Sequence, residues 1–365
     1  MLAGAFFRSI TQLEPIRSML VKASLLGAAA ASVLFAPTLA ESLTRNAAEG
    51  ETRVRTIEAS REMSLVDMVI RFDGEEIPAD QLGDIEGSQT DSYSVVVSDT
   101  FSSVADGRAT KLTRTYTTLG GESAMEGGML AAMGAEDSSK ELSSELEGED
   151  VIFTWDGEEE DYVASLPEES TLDEDLLEDL LGDYEFAELL PDGDIEVGAE
   201  WDIDPAFFEF MVEPGGEMHL KPSDADANEY DEMAEQIEEA GVEPTYEGTL
   251  KGKLVSVEEG VAKIEITIEI EMTLDLSGEL EPMTQDTPMG ELEINPVEVV
   301  VERTAEGTGT LMWHVAKGRL ISFTMEADVT EVNTSNVEID FGGETMEQFQ
   351  ELTQEGSIEV SYTIE

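Results

Sequence analysis

The most constraining feature of this sequence is a strict alternation of apolar and polar residues between Val261 and Leu276. The apolar side of the pattern consists of Ala262, Ile264, Ile266, Ile268, Ile270, Met272, Leu274 and Leu276. A period of two residues predicts a β-strand with one dry and one wet face, because a helix would distribute the isoleucines around its circumference. Sixteen residues in extended conformation span about 50 Å. We therefore expect a long strand in a sheet that curves around an apolar interior.

Shorter alternations with glycine turns predict further antiparallel hairpins on both sides of this strand. The clearest one runs from Tyr93 through Asp106-Gly107 to Tyr116, because aspartate followed by glycine tolerates the positive φ of a tight turn. Equivalent turns are predicted at Asp73-Gly74, Asp156-Gly157, Glu259-Gly260 and Lys317-Gly318. We interpret Pro282 to Met289 as a linker, and residues 346–352 fit neither period.

The middle of the chain changes to a helical period. An apolar stripe from Leu172 to Leu181 predicts one helix, and Asp204-Pro205 supplies an N-cap and first position for a second one that reaches Met211. A third helix is predicted from about 227 to 240. The predicted fold class is therefore mainly β, between all-β and α+β, with long antiparallel meanders that wrap a few helices.

The first forty residues have the features of a secretory signal peptide. Arg17 and Lys22 precede an apolar run at 23–36, and the short residues before and at Ala40 predict cleavage after that position. The run is shorter than the roughly 20 residues that span a bilayer, so we expect cleavage and no membrane span in the mature chain. Met19 is an alternative start. The predicted location is secreted or periplasmic.

Behind the signal peptide at 1–40, we divide the chain into an N-terminal β module (41–166), a helical and acidic bridging segment (167–245) and a C-terminal β module (246–365). Two phrases recur in both modules. Residues 107–112 (GRATKL) resemble residues 260–264 (GVAKI), and the hairpin at Trp155 resembles the one at Trp313. We take this as a hypothesis of internal duplication into two half-barrel-like modules. The alternative is that hairpins with glycine turns resemble one another by chance.

The charge balance restricts the partners. Nineteen Lys and Arg against 84 Asp and Glu leave a formal net charge of −65, which excludes nucleic acid as a partner and disfavours anionic membrane surfaces. Such repulsion is reduced by salt, so the composition indicates adaptation to saline surroundings or loading with divalent cations. The chain has no cysteine, which excludes disulfides and thiolate chemistry.

Acidic clusters raise the question of calcium, a hard cation that prefers grouped oxygens. The candidate ligands are Asp156, Glu158, Asp161, Asp192 and Asp194. The calcium-loop template of EF-hands does not fit the second group, and clusters like these also arise from composition alone. No cofactor is predicted, and weak calcium binding stays the open alternative.

No catalytic residue is predicted. His219 and His314, the two histidines of the chain, lack neighbours at metal-ligand or triad spacing, and the sequence contains no phosphate loop, nucleophile elbow or HExxH motif. Paired carboxylates are abundant, which leaves a carboxylate-based hydrolase acting on polysaccharide as an alternative.

One stretch has the character of a motif: Leu190-Pro191, Val197-Gly198 and Trp201. It resembles the motif LP followed by V-x-VG-x-x-W in secreted bacterial β-rich proteins of unknown function. This resemblance implies a location outside the cytoplasm and no particular activity. The predicted architecture also resembles, by analogy at the level of the fold, periplasmic carriers that hold lipid or lipoprotein chains in a half-barrel.

The first functional hypothesis is a non-enzymatic secreted or periplasmic protein that binds an apolar small molecule or an envelope component. Its predicted contact residues are Ile264, Ile266, Ile268, Ile270, Met272 and Leu274. An open cavity on this face would favour carriage, and complete filling by Leu176, Leu180, Phe207 and Phe208 would argue against it. The alternatives are the hydrolase and a calcium-binding surface or structural protein.

Overall fold

The computed structural model describes residues 41–78, 81, 87–127, 138–159, 161–177, 180–182, 186–191, 193–213, 215–216, 218–222, 241–280, 282–287, 290–340 and 345–365. The described chain is mainly β. Its strands are β1 (Glu41–Ser42), β2 (Thr52–Phe72), β3 (Glu75–Glu76), β4 (Gly87–Ala105), β5 (Arg108–Gly127), β6 (Ser138–Ser143), β7 (Asp150–Asp156), β8 (Asp161–Ser165), β9 (Asp194–Ile195), β10 (Glu200–Ile203), β11 (Lys221–Pro222), β12 (Thr245–Glu258), β13 (Val261–Asp275), β14 (Met283–Thr287), β15 (Gly290–His314), β16 (Arg319–Asp340) and β17 (Thr345–Ile364).

Fifteen of these strands form one antiparallel sheet. Its main path runs in the order β10-β12-β13-β15-β16-β17-β2-β4-β5-β6-β11, while β7 and β8 continue from β5, and β3 and β14 pair with β2 and β15. The strands β1 and β9 form a separate two-stranded pair. Because β17 pairs with β2, strands from both predicted β modules lie in the same sheet. The predicted fold class is confirmed.

Strand β13 has the two faces that its alternation predicts. Its even-numbered residues from Ala262 to Leu274 are buried, and its odd-numbered residues are exposed or half-buried. It pairs with β15 over its whole length and with β12 from Val261 to Thr273. The strand is not the longest of the sheet, because β15 extends over 25 residues.

Two sequence interpretations need correction, and one segment that the sequence left unassigned is a strand. Residues 172–181 do not form the predicted helix: the described part contains a 3-10 turn at Glu174–Leu177, and Leu180 forms a β-bridge with Gly216. Like charges four apart, such as Glu174 and Glu178, destabilise an α-helix there. The predicted linker at 282–289 contains β14, and the unassigned residues 346–352 belong to β17.

The described helical structure is small. The predicted helix after Pro205 is present as α1 (Phe207–Val212), and two further 3-10 turns lie at Ala187–Leu189 and Val315–Lys317. The predicted helix at 227–240 lies outside the described residues, as does the signal peptide. None of the helices within the described ranges has the length and apolar character needed to cross a membrane.

The two parts of the sheet that the duplication hypothesis compares have matching pairings. Strand neighbours run β4-β5-β7-β8 in one part and β12-β13-β15-β16 in the other. Trp155 pairs with Tyr162 as Trp313 pairs with Leu320. This agreement in strand order is what a duplication requires, and the duplication itself stays a prediction.

Candidate functional site

The predicted contact residues lie together on the core face of β13. Ile264, Ile266, Ile268 and Ile270 belong to the main core, and Met272 and Leu274 pack in an adjoining cluster with Val299 and Val301. All six are between 0% and 5% exposed. The alternation of the sequence therefore produces a continuous apolar surface, and that surface is covered.

The covering layer comes from the bridging segment. We call the described residues of 172–191 and 205–220 the cap. Its central side chain is Phe186, whose ring centroid lies 4.6 Å from that of Phe323, 5.2 Å from that of Tyr362 and 5.1 Å from that of Phe210. Phe208 is 3% exposed. Cap side chains thus pack against the core, which is the closed one of the two alternatives that the sequence left open.

Leu180 is buried as well, and Leu176 and Phe207 are partly buried and pack against the same core. These are the residues whose presence on the face would argue against an open cavity. A ligand on the core face would therefore have to take the place of cap side chains.

One end of the cap is fixed by a buried charge cluster. Both carboxylate oxygens of Asp99 accept hydrogen bonds from Arg114, at 2.8 and 3.0 Å, and Arg55 lies 3.2 Å away. The Arg114 guanidinium also donates to the carbonyls of Leu181 at 2.6 Å and Gly182 at 3.1 Å. We call Arg53, Arg55, Asp99 and Arg114 the Asp99 cluster; all four are buried.

Electrostatics explain why this carboxylate stays charged. Burial alone would raise the pKa of Asp99, but the positive charges of Arg114 and Arg55 and the hydrogen bonds from Arg114 outweigh it, so the pKa is lowered. The cluster is thus a set of ionised partners held away from water.

A second row of polar side chains crosses the same face nearer the other end of the strands. Register places its members side by side: Tyr246 opposite Met272, Met272 opposite Arg303, Arg303 opposite Glu331, Glu331 opposite Gln354. Gln354 itself lies opposite Leu65, and Arg61, which lies opposite Ile358, joins the row through its hydrogen bond to Glu331. Asp91 lies opposite both Arg61 and Ser123. We call this row the polar belt: Tyr246, Arg303, Glu331, Gln354, Arg61, Asp91 and Ser123.

Glu331 is the centre of the polar belt. Its Oε2 accepts from Arg61 at 2.9 Å and from Arg303 at 2.9 and 2.7 Å, while Oε1 accepts from Asn333 at 3.0 Å. Burial would raise the pKa of Glu331, but the charges of Arg303 and Arg61 dominate and lower it to about 2. The arginine side chains are 17% and 18% exposed, in contrast to the fully buried Arg114.

The cap contacts the polar belt through the carboxylate of Glu209. The Tyr246 hydroxyl donates to the carboxylate of Glu209 on α1, and burial raises the pKa of Glu209 although this bond and the charge of Arg303 oppose the shift. Burial and the charge of Arg303 lower the pKa of Arg61, and the negative charge of Glu213, just after α1, is among the charges that oppose this shift. The Tyr93 hydroxyl donates to the carbonyl of Val212 at 2.9 Å.

The opposite face of the sheet carries a groove of about 1000 Å³. Its outward side chains are hydroxyls and carboxylates from seven neighbouring strands. They include Ser60, Ser92, Ser94, Thr118, Thr308, Thr310, Thr324, Ser361 and the acids Glu58, Glu122, Glu141, Glu326 and Glu359.

The calcium candidates occupy turns and strand ends. Asp156 Oδ1 accepts from the backbone amide of Glu158 at 2.8 Å, and Asp161 Oδ1 accepts from that of Tyr162 at 2.7 Å, at the tip of the β7–β8 hairpin. Asp194 is exposed in β9, and Asp192 lies outside the described residues. Across the described ranges no group of three or more His, Cys, Asp or Glu is arranged to hold a metal ion. Weak calcium binding stays a prediction.

The two histidines are not members of the polar belt. His314 ends β15 and its Nδ1 accepts from the backbone amide of Lys317, and His219 follows the cap helix in a loop with a φ of 49°. The expectation that the chain has no catalytic residue stays a prediction.

The motif at 190–201 has a packing role in the structure. Trp201 lies in β10, its indole N–H donates to the carbonyl of Leu189 at 2.8 Å, and its ring covers Gly252 on β12. Ile195 is buried, whereas Val197 is 43% exposed and lies outside β9. Trp201 therefore joins the edge of the sheet to the cap.

The sequence interpretation missed the polar belt and the Asp99 cluster. The available signal was the phase of the arginines in β2: Arg53, Arg55 and Arg61 share the parity of Ile57 and Ala59, and so point to the core face. In a chain with so few basic residues, three in phase with buried residues indicate an interior role.

No protein-family model matches this sequence, and the curated proteins contain no significant match to it.

Proposed function

We propose that this protein is a non-enzymatic secreted or periplasmic binding protein that carries an apolar molecule between its sheet and a displaceable cap. The observation that carries the proposal is the nature of the covering layer. An apolar surface on a fifteen-stranded sheet is covered by a segment whose described regular structure is a six-residue helix, α1, and short 3-10 turns.

The energetics of the two layers differ. The strand backbone is satisfied by ladder hydrogen bonds between neighbouring strands, so the sheet remains complete when the cap moves. Opening the cap mainly exposes apolar area at about 25 cal/mol per Å², and an apolar ligand on the same surface recovers that free energy. Segments with few regular hydrogen bonds open more readily than sheet strands, which favours the cap as the moving part.

The secreted or periplasmic location in this proposal is supported by the sequence of residues 1–40 and by the resemblance at 190–201. A net charge of −65 keeps such a protein soluble in saline surroundings and away from anionic surfaces. Both features suit a carrier outside the cytoplasm.

Native mass spectrometry of the protein purified from its own envelope tests the proposal directly, since a co-purifying apolar molecule adds a defined mass. A second test uses hydrogen exchange of the full chain with and without decan-1-ol. We expect amides at 207–213 to exchange faster with the alcohol bound while amides of β13 stay protected. No bound molecule in the first test and no binding of the alcohol in the second would reject carriage.

The outer groove favours one alternative, a carboxylate-based hydrolase acting on polysaccharide. Five glutamates line an open groove, and such enzymes place two carboxyl groups on opposite sides of the scissile bond. Release of reducing ends from polysaccharides by the full chain, and its loss in Glu122→Gln, would support the hydrolase against the carrier.

A further inference from the structure

Phe186, the central side chain of the cap, has a left-handed backbone conformation, with a φ of 50° and a ψ of 26°. A bulky residue populates this region roughly 5- to 30-fold less than the right-handed one, because its Cβ approaches the following carbonyl oxygen. The other non-glycine residues with positive φ in the described ranges are His219 and three exposed acids before turn glycines, Asp73, Asp106 and Glu259. Phe186 differs from them because it is apolar and fully buried.

The packing of the Phe186 ring holds this strained backbone in place. The ring lies against those of Phe323, Tyr362 and Phe210, and the residue is 0% exposed. Strain of this kind persists only where the surroundings enforce it, and strained residues cluster at ligand clamps and switch regions. The backbone of Phe186 can therefore relax when the ring leaves its place.

The place of this ring adjoins the predicted contact residues. Gly309 on β15 has no side chain, and a Cβ built on it would lie 3.2 Å from the Phe323 ring and 3.3 Å from the Cβ of Ile266. A molecule on the core face at Ile266 thus has the Phe323 ring as a direct neighbour. The Phe186 ring in turn packs on Phe323, with 4.6 Å between the two centroids.

Phe186 is linked to the movement of the cap through α1. Phe210 belongs to α1, and its ring meets that of Phe186 edge to face at an interplanar angle of 67°. When α1 moves away in the proposed function, Phe186 loses this neighbour, while Phe323 and Tyr362 stay in the sheet. The free energy that offsets the strain then falls, so opening of α1 favours departure of the Phe186 ring.

The rings that stay in the sheet determine what fits the vacated place. The ring of Phe186 is tilted by 31° on that of Phe323 and meets that of Tyr362 edge to face at 86°. Aromatic pairs that stack with an offset or meet edge to face gain free energy from their ring quadrupoles beyond the burial of area. A planar aromatic ring reproduces both contacts, whereas an alkyl chain or a saturated ring reproduces neither.

We propose that the ligand of this protein carries a planar aromatic ring, and that Phe186 occupies the place of that ring in the closed form. The inference rests on the proposed carrier function and adds the ligand class. The ligand ring takes the position between Phe323 and Tyr362, and the rest of the ligand lies on the isoleucines of β13. Phe186 then adopts a relaxed backbone outside this position.

The test compares two probes with one carbon skeleton, naphthalen-2-ylmethanol and its decahydro analogue, together with decan-1-ol. Calorimetric titration of the full chain gives the three dissociation constants, each corrected for the partition of the probe between water and octanol. We expect the aromatic probe to bind about tenfold tighter than its saturated analogue, the size of two aromatic contacts.

A fluorine label reports the movement of the ring. With 4-fluorophenylalanine at position 186, saturation with the aromatic probe should shift the fluorine resonance to that of the urea-unfolded chain. The same label at Phe153, a buried position of β7 in the same core, should keep its resonance. A resonance at position 186 that does not move while the probe is bound would overturn the inference.

Phe186→Gly and Phe186→Ala test the strain. Both variants lack the ring, but glycine adopts a φ of 50° freely and alanine does not. The glycine variant should therefore have the higher urea midpoint, although it buries one methyl group less. At Phe208 in α1 the order of the same two substitutions should be reversed, because glycine weakens a helix relative to alanine. An alanine variant at position 186 as stable as the glycine variant would remove the strain and overturn the proposed exchange. The fluorine label covers the case in which neither variant folds.

The outcomes separate the two proposals. Aromatic and saturated probes that bind equally well would overturn the aromatic ligand class and leave the carrier in place. Binding of no probe, decan-1-ol included, would reject the carrier itself and the inference with it.

Discussion

The Asp99 cluster and the polar belt lie on the same face of the sheet, and they hold the cap in different ways. In the Asp99 cluster every charged group is buried, and Arg114 donates to main-chain carbonyls of the cap. In the polar belt the arginines are partly exposed, and the cap contributes the side-chain carboxylate of Glu209, which accepts from Tyr246. Carbonyls cannot ionise, whereas a carboxylate can be protonated or replaced by another anion. The comparison indicates a fixed end and a releasable end of the cap.

The largest effect is expected from Asp99→Asn. The substitution leaves Arg55 and Arg114 buried next to a neutral partner, and breaking a buried ion pair costs about 3–5 kcal/mol. The free energy of unfolding from urea titration measures the loss. The control is Glu200→Gln, which removes an exposed pair with Lys253 and should leave the midpoint unchanged. Equal behaviour of the two variants would remove the distinction between a buried anchor and a surface contact.

A smaller effect is expected from Glu331→Gln, about 2 kcal/mol at neutral pH, because water reaches the arginines that lose their partner. The pKa of Glu331 is lowered to about 2 from 4.5, so its contribution is present above pH 4.5 and is lost as the pH falls towards 2. The difference in unfolding free energy between wild type and variant should therefore narrow over that range. A constant difference from neutral to acidic pH would contradict the assignment.

The smallest effect, with the opposite sign, is expected from Glu209→Gln. Burial raises the pKa of Glu209, so the folded state favours the protonated carboxyl. The stability that the protonated carboxyl contributes is lost as the pH rises through the folded-state pKa. Glutamine stays neutral and still accepts from Tyr246, so it should stabilise the closed cap by about 1 kcal/mol at neutral pH. Hydrogen exchange at 207–213 reports the gain, which should vanish below pH 4.5, where the wild-type carboxyl is itself protonated.

Sequence periodicity predicted most of the sheet, since strands such as β13 alternate without interruption and glycine turns mark their ends. Prediction from periodicity failed where the amino-acid composition obscured the alternation or competed with it. Residues 172–181 do have apolar residues at helical spacing, but the acidic residues between them oppose helix formation. Residues 346–352 of β17 carry glutamine and glutamate on a half-buried strand, so no contrast between its faces is visible in the sequence.

The candidate site was predictable only in its apolar half. The alternating isoleucines of β13 predict a buried face, because few other structures account for that alternation. The polar belt is made of single residues from seven strands, brought together by register over nearly three hundred positions, and register between distant strands is not encoded in a local period. Arg61 and Glu331 form an ion pair although 270 positions separate them.

The pairing of β17 with β2 has a consequence for biogenesis. Ile364 lies beside Arg55, so the centre of the sheet is assembled from segments that leave the ribosome far apart in time. Until β17 is synthesised, the long edge of β2 is a row of unsatisfied amides and carbonyls, which other chains could pair with. Contacts this distant in sequence also slow folding. Repulsion between the many carboxylates would oppose aggregation of incompletely synthesised chains until β17 pairs with β2.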